Sequence, residues 1–288
     1  MIIDTHSHLQ FNAYKDDVNE VTKRTQSKNI WCINVGTNYP SSKDGILFAE
    51  KHGESFFSAI GLHPMYAGAE FLKIKNDDNE SKELVEENTF DTQKYRELAQ
   101  SKKVVAIGEI GLDYYYKPKT ATKLAEFKEK QKQIFLQQLD LAKELNLPVI
   151  LHCRMAHEDI LEILKSYIVN HKSMNGVIHC FTGTIEQAKK YIDLGFSIGI
   201  NGIIFKFNID EVIKNISLSN MLLETDCPYL TPLPAVALAK AGPDSHIRNE
   251  PIFIKHTIQK IADLKGITFE EVCNKTTQNA KRLFTLVK

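Results

Sequence analysis

The chain has 288 residues, with 36 basic and 36 acidic side chains and hence no formal net charge; 43% of residues are hydrophobic and 25% charged. These values are those of a globular protein and exclude disordered, collagen-like and coiled-coil chains. The balance of charge also excludes a broad basic surface, so a nucleic-acid substrate would have to be held by a local site.

Short apolar runs alternate with longer amphipathic ones. Strands are predicted at Ile2–Asp4, Ile30–Val35, Phe56–Gly61, Val104–Gly108 and Pro148–Leu151, then at Val177–Ile178, Phe196–Gly199 and Met221–Leu223. β-Branched and aromatic residues dominate most of them, as buried strands require. The clearest helix runs from Thr122 to Leu145, where Leu124, Phe127, Ile134, Leu139 and Ala142 recur at roughly three- and four-residue spacing. Further helices are predicted near Asp17–Ser27, Ser42–His52, His157–Val169, Ile185–Leu194, Pro251–Leu264 and Phe269–Leu283. Eight strand-helix units fit a single-domain (β/α)8 TIM barrel, an α/β fold of typically ~250 residues. A doubly wound open sheet shares the same alternation. One stretch departs from it: residues 73–88 (KIKNDDNESKELVEEN) form a charge run expected to be a solvated surface insertion, with a substrate-touching lid as the other reading.

The polar residues favour the barrel, because the apolar runs end in ionisable groups. The first strand leads into Asp4-Thr5-His6-Ser7-His8, where alternation turns Asp4, His6 and His8 the same way. The fourth leads to Glu109 and Asp113, the fifth to His152 and Arg154, the sixth to His179, and the eighth to Glu224 and Asp226. In a barrel these carboxyl ends meet at one mouth, where that fold carries its chemistry. His6, His8, His152, His179, Glu109 and Asp226 supply enough nitrogen and oxygen donors for two divalent cations, whereas buried together without metal they would carry an uncompensated desolvation cost. His52, His157, His171 and His256 lie in or at the ends of helical segments and are read as solvated or locally hydrogen-bonded; His246 is read as structural.

The five cysteines form no C-x-x-C and are odd in number, which fits a reducing compartment better than a disulfide framework. Cys153, Cys180 and Cys227 each follow a site residue and are expected to turn away from the mouth as small buried groups. The N-terminus lacks the pattern of a signal peptide, and no apolar stretch reaches membrane-spanning length, so a cytoplasmic location is expected.

Seven ordered motifs carry a resemblance: D-T-H-S-H-L from Asp4, G-L-H-P at 61–64, G-E-I-G-L-D-Y-Y at 108–115 and L-P-V-I-L-H-C-R at 147–154. H-C-F-T-G at 179–183, L-L-E-T-D-C-P-Y-L at 222–230 and R-N-E-P at 248–251 complete the set. Together they resemble the TatD family of metal-dependent hydrolases, within the amidohydrolase-type barrels. The resemblance implies a TIM barrel, two divalent metals (magnesium, manganese or zinc) and deoxyribonuclease activity of the 3′-to-5′ exonuclease type. It implies one metal on His6, His8, Glu109 and Asp226 and a second on Glu109, His152 and His179, with Glu109 bridging. Asp226 would also be the general base. His63 carries over as a catalytic, substrate-facing residue, its other reading being a histidine that caps the third strand. Arg154 would grip a phosphate oxygen with its fork. Arg248, with Glu250, would stand at the substrate edge, and Asp113 and Glu224 would orient ligands or waters.

The implied partner is DNA, single-stranded or frayed at its 3′ end, with no membrane and no obligate protein partner. Two departures bear on the substrate: a longer segment, residues 235–247 with Lys240 its single basic residue, precedes R-N-E-P where the family has a short R-G-K, and residues 73–88 are unusual. The ligand set does not itself specify the bond cleaved. An ester or amide hydrolase, such as a deacylase acting on aminoacyl-tRNA, is therefore the alternative, and a non-catalytic scaffold is disfavoured by the complete donor set.

Overall fold

The computed structural model describes residues 1–72, 77–81, 87–171, 174–232 and 247–286. Eight parallel strands form one sheet in sequential order: β1 (Ile2–Ser7), β2 (Ile30–Val35), β3 (Phe56–Ile60), β4 (Val104–Asp113), β5 (Val149–Arg154), β6 (Gly176–Ile178), β7 (Phe196–Ile200) and β8 (Met221–Leu223). Closure onto β1 comes just beyond β8. A parallel bridge joins Ser7 to Cys227, Asp226 N donates to His6 O at 2.8 Å, and His8 N donates to Cys227 O at 2.9 Å. The sheet is a TIM barrel, not the open alternative.

Around it lie α1 (Val18–Ser27), α2 (Tyr39–His52), α3 (Pro64–Ala67), α4 (Thr92–Leu98), α5 (Ala121–Leu145), α6 (His157–His171), α7 (Ile185–Asp193), α8 (Asp210–Asn215), α9 (Ile254–Lys265) and α10 (Phe269–Leu283). Local chemistry sets their ends. Asn38, Thr184 and Thr268 begin α2, α7 and α10 with reciprocal capping boxes, and α5 stops at Asn146 in the left-handed conformation. No helix among the described residues is long and apolar enough to cross a membrane.

Alternation along β2 splits the core in two. Cys32 packs outward toward the helices, while Trp31, Ile33 and Val35 fill the barrel with Ile3, Val105 and Ile150. Phe284 and Leu286, from the end of the chain, close the interior cluster.

Several expectations are corrected here. β1, β4 and β5 run farther than predicted, so their ionisable residues belong to the strands themselves. Gly111 permits the extension of β4: its φ is 141°, and a Cβ there would lie 2.1 Å from His152 O. The pairing register of β1 shifts between Asp4 and Ser7, so alternation does not hold through this stretch. Asp4 instead accepts hydrogen bonds from Thr225 N (2.9 Å) and Thr225 Oγ1 (2.6 Å), stitching β1 to the end of β8.

The charge run lies partly within the described residues. Residues 73–76 and 82–86 lie outside the described residues; Asp77, Asp78 and Asn79 are exposed and Glu80 and Ser81 partly buried, so the described part is a surface segment that is also pinned to the barrel rim. Asn12 N and Ala13 N donate to Glu80 O and Asn79 O, and Tyr229 OH donates to Asp77 Oδ2 at 2.6 Å. The Glu80 carboxylate accepts from Thr37 Oγ1 and from Asn38 Nδ2, and Glu87 accepts from Tyr39 N at 2.6 Å. Residues 233–246, including Lys240 and His246, lie outside the described residues.

Candidate metal centre

The carboxyl ends of the strands surround a cavity of about 430 Å³. At its floor the Glu109 carboxylate is ringed by imidazoles: His6 Nε2 at 3.3 Å, His63 Nε2 at 3.6 Å, His152 Nδ1 at 2.7 Å and His179 Nε2 at 3.7 Å. Asp226 adds a second carboxylate, its Oδ1 3.4 Å from His8 Nε2 and 3.7 Å from His6 Nε2. The residue reaches this position through a left-handed backbone (φ 56°), a conformation aspartate tolerates better than most residues. His6 and His179 stack with centroids 3.6 Å apart. All six sequence-predicted ligands are thus brought together.

Electrostatics within the ring are strongly coupled. Burial alone would raise the Glu109 carboxyl, yet His63, His179, His6 and the His152 hydrogen bond hold it well below the usual range. Burial likewise opposes ionisation of Asp226, but His179, His8 and His6 outweigh it and its carboxyl is lowered. His179 resists charging through burial, but Glu224, Glu109 and Asp226 carry it up to about 10.

The donor set fits divalent cations, on the evidence of the far ring nitrogens. His8 Nδ1 donates to Val35 O at 2.7 Å, which leaves its Nε2 lone pair facing Asp226 and His6 Nε2, the latter 3.2 Å away. His179 Nδ1 lies 2.9 Å from Glu224 Oε1, leaving its Nε2 toward Glu109 and Asp226. Such outer acceptors fix the tautomer of a metal-binding imidazole. His152 differs: Glu109 takes Nδ1, and Asp113 Oδ2 takes Nε2 at 3.0 Å. Against the cost of burial, these carboxylates raise it to about 9, so it must release a proton to bind metal.

Three groups hold their donor atoms within 4.8 Å of one another: His6, His8 and Glu109; His6, His179 and Asp226; and His63, Glu109 and His152. His63 therefore stands with Glu109 and His152, where the family resemblance placed His179. Its two ring nitrogens face different ways. Nδ1 accepts from Met65 N at 3.1 Å and caps α3, so in the neutral ring Nε2 carries the proton into the cavity. Burial and the neighbouring His152 lower its pKa to about 4, which keeps it neutral.

Asp113 and Glu224 contact His152 and His179 from outside the ring. Glu224 also accepts from Cys180 N (2.7 Å) and Asn201 Nδ2 (3.0 Å), and a Cβ on Gly199 would lie 2.7 Å from its Oε2. Two cysteines depart from expectation. Cys153 and Cys180 line the cavity, and Cys180 adopts a left-handed backbone (φ 47°) that breaks the alternation. Cys153 stays largely buried beside His157 Nδ1 at 3.1 Å, and burial raises its thiol to about 12. Cys227 is fully buried, as predicted. Asp77, Glu80, Tyr66 and Tyr229 also line the cavity and were missed. Glu80 is held above the usual carboxylate range by burial, against the pull of Thr37 and Tyr66.

Arg154 lines the cavity, but Arg248 does not. The Arg248 fork is spent on Asp17 (2.8 and 2.6 Å), with further bonds to Ala13 O and Glu250 Oε1, and its guanidinium lies 4.3 Å from the Tyr14 centroid. Arg24 completes the network on Glu250 at 2.6 and 2.7 Å. The substrate-edge role expected of Arg248 is replaced by that of a strut. Replacing it in Arg248→Met should cost roughly 1 kcal/mol of stability at neutral pH, a modest value because Asp17 is partly exposed. The Arg248 bond lowers the Asp17 pKa, so its contribution is full above the ordinary value of 3.8 and is lost as pH falls through the lower folded value. Urea unfolding of both proteins should show the gap closing in acid; a fall in kcat at unchanged stability would return Arg248 to the site.

The TatD-related DNase family model matches residues 3–285. The chain is 36% identical to the uncharacterized metal-dependent hydrolase YabD of Bacillus subtilis (strain 168), covering 99% of this chain and 100% of that one. It is 32% identical to the 3′-5′ ssDNA/RNA exonuclease TatD of Pantoea ananatis (strain LMG 20103), again over 99% and 100%. Among solved structures, the TatD homolog YJJV from Escherichia coli K12 superposes with a TM-score of 0.78 at 26% identity, covering 99% of this chain and 98% of that one. Matched from its first strand to its last helix, and with the strand-end donors gathered at one mouth, the chain belongs to the TatD family of metal-dependent hydrolases.

Proposed function

We propose that the protein hydrolyses phosphodiester bonds of nucleic acid, removing nucleotides from single-stranded 3′ ends with two divalent cations. The observation that carries this reading is the Glu109 carboxylate set among four imidazoles, with Asp226 beside it and Arg154 on the same cavity wall. Cations bound by these groups would lower the pKa of a water and polarise a phosphoryl oxygen.

The chain's own residues supply the rest. Asp226, held ionised and opening onto the cavity, accepts the proton of the attacking water. His63 donates Nε2–H toward developing charge on the phosphoryl group without being charged itself. Arg154 presents its N–H edge to a non-bridging oxygen. Asp113 orients His152, and Glu224 orients His179. The 3′-to-5′ direction and the single-stranded substrate follow the name carried by the TatD exonuclease relative.

A second reading has its own support. Asp77 and Glu80 place acid on the cavity wall, which disfavours a polyanion on that side and favours a smaller ester or amide substrate. The test is hydrolysis of end-labelled single-stranded DNA, duplex DNA and RNA across magnesium, manganese, zinc and cobalt, with ester, amide and aminoacyl-tRNA substrates alongside. A ladder shortening from the 3′ end of single strands is the expected result. Turnover of an ester or amide with every oligonucleotide left whole would replace the first reading by the second.

A further inference from the structure

Residues 77–81 are bound to the loops after β1, β2 and β8, and the loop after β4 forms another stretch of the mouth. It reads Tyr114-Tyr115-Tyr116-Lys117-Pro118-Lys119-Thr120. Asp113 pairs with Arg154 in the β4–β5 ladder, and Tyr115 N donates to Asp113 Oδ1 at 2.8 Å, which turns the chain outward. The Tyr115 ring then lies against Arg154, whose guanidinium carbon is 3.6 Å from the ring centroid. Tyr116 meets Tyr115 edge-on, centroids 4.8 Å apart and planes at 85°. Both rings remain open to solvent, Tyr115 at 49% and Tyr116 at 56% exposure.

Large aromatic rings left exposed beside a cavity mark a binding surface more often than a packing accident. The charges agree. Arg154 makes no ion pair or side-chain hydrogen bond among the described residues, and Lys117 and Lys119 make no ion pair there. Arg154 thus shares its stretch of the mouth with two rings, and Lys117 and Lys119 stand exposed on the same loop, while Asp77 and Glu80 line the cavity from another segment. The platform is also near enough: Tyr115 is two residues past Asp113, which touches His152, a chain span of roughly 7 Å at most.

We infer that Arg154, Tyr115 and Tyr116 form a stacking platform for the nucleobase next to the scissile phosphodiester, so that the site selects unpaired bases. Guanidinium planes and tyrosine rings both stack on bases, and a base engaged in a duplex cannot present its face to them. The inference rests on the phosphodiesterase reading and names the substrate feature that the site would recognise.

Single-stranded oligonucleotides with an abasic residue at either of the last two 3′ positions test it, in hydrolysis by the metal-loaded enzyme and in binding by fluorescence anisotropy. At one of the two positions, loss of the base should raise KM and Kd about tenfold. In Tyr116→Ala and in Tyr115→Ala that ratio should approach one, and Tyr116→Trp should restore it. Leu47→Ala, an exposed substitution on α2, should leave the ratio as in the wild type. Equal handling of abasic and intact substrates by the wild type, or a base preference that survives both alanine variants, overturns the platform while leaving hydrolysis intact. A base preference in binding, lost in Tyr116→Ala but with no cleavage of any oligonucleotide, keeps the platform and overturns the phosphodiesterase reading.

Discussion

Glu109→Ala is expected to abolish hydrolysis and metal binding together while the barrel still folds. Among the described residues Glu109 is the one carboxylate within 3.7 Å of His6, His63, His152 and His179. Its removal leaves the ring without the anion that draws these imidazoles to one point. The loss should exceed the roughly 100-fold that removing an outer partner of a metal ligand can cost. Plasma emission on the purified variant should find the metal content reduced, and circular dichroism should find the helix content unchanged. Glu109→Gln, which keeps the side-chain volume, separates charge from packing and should fail as Ala does. Wild-type turnover of the variant in metal-replete buffer would remove Glu109 from the centre.

Asp226→Asn should lower kcat by about 10²–10⁴-fold, the range expected when a positioned base is lost. The amide keeps an oxygen near the position of Oδ1 but cannot take a proton. If the carboxylate acts only as a donor to metal, raising the cation concentration should recover most of the rate. If it also accepts the proton of water, the deficit should persist at saturating metal. Persistence is the expected result, because the surrounding histidines hold this group ionised and it opens onto the cavity.

Much of this arrangement was legible because a barrel converts strand ends into neighbours. β-Branched runs marked the strands, and the ionisable residues near their ends marked the mouth, so the six candidate ligands that the structure gathers were named before any contact was known. The failures share a cause: they turned on partners distant in sequence or on single backbone angles. Arg248 was paired with Glu250 from the motif, but it looked available to substrate because Asp17, 231 positions away, was not recognisable as the acceptor of its fork. Nothing in the acidic run announces that Glu80 will meet Thr37 and Asn38, or that Glu87 will meet the start of α2, so these contacts with the barrel rim went unforeseen. Cys180 escaped alternation through one left-handed residue, and Asp4 through a register shift in β1. α4 went unseen because it is seven residues long and buries only Tyr95. Tyr115 closes a motif and Tyr116 follows it directly, but their exposure and the guanidinium laid against one of them required coordinates.

The seam where the barrel closes runs through the candidate metal centre: His6 comes from its opening strand, His8 from just past that strand and Asp226 from just past its last. During synthesis the ribosome therefore releases the first donors long before the final one, and no partial product ending short of residue 226 of 288 can assemble the complete set. A polypeptide terminated before Asp226 would lack one side of the candidate centre, and a cation bridging the two sides would clasp together His6 and Asp226, which the chain holds 220 positions apart.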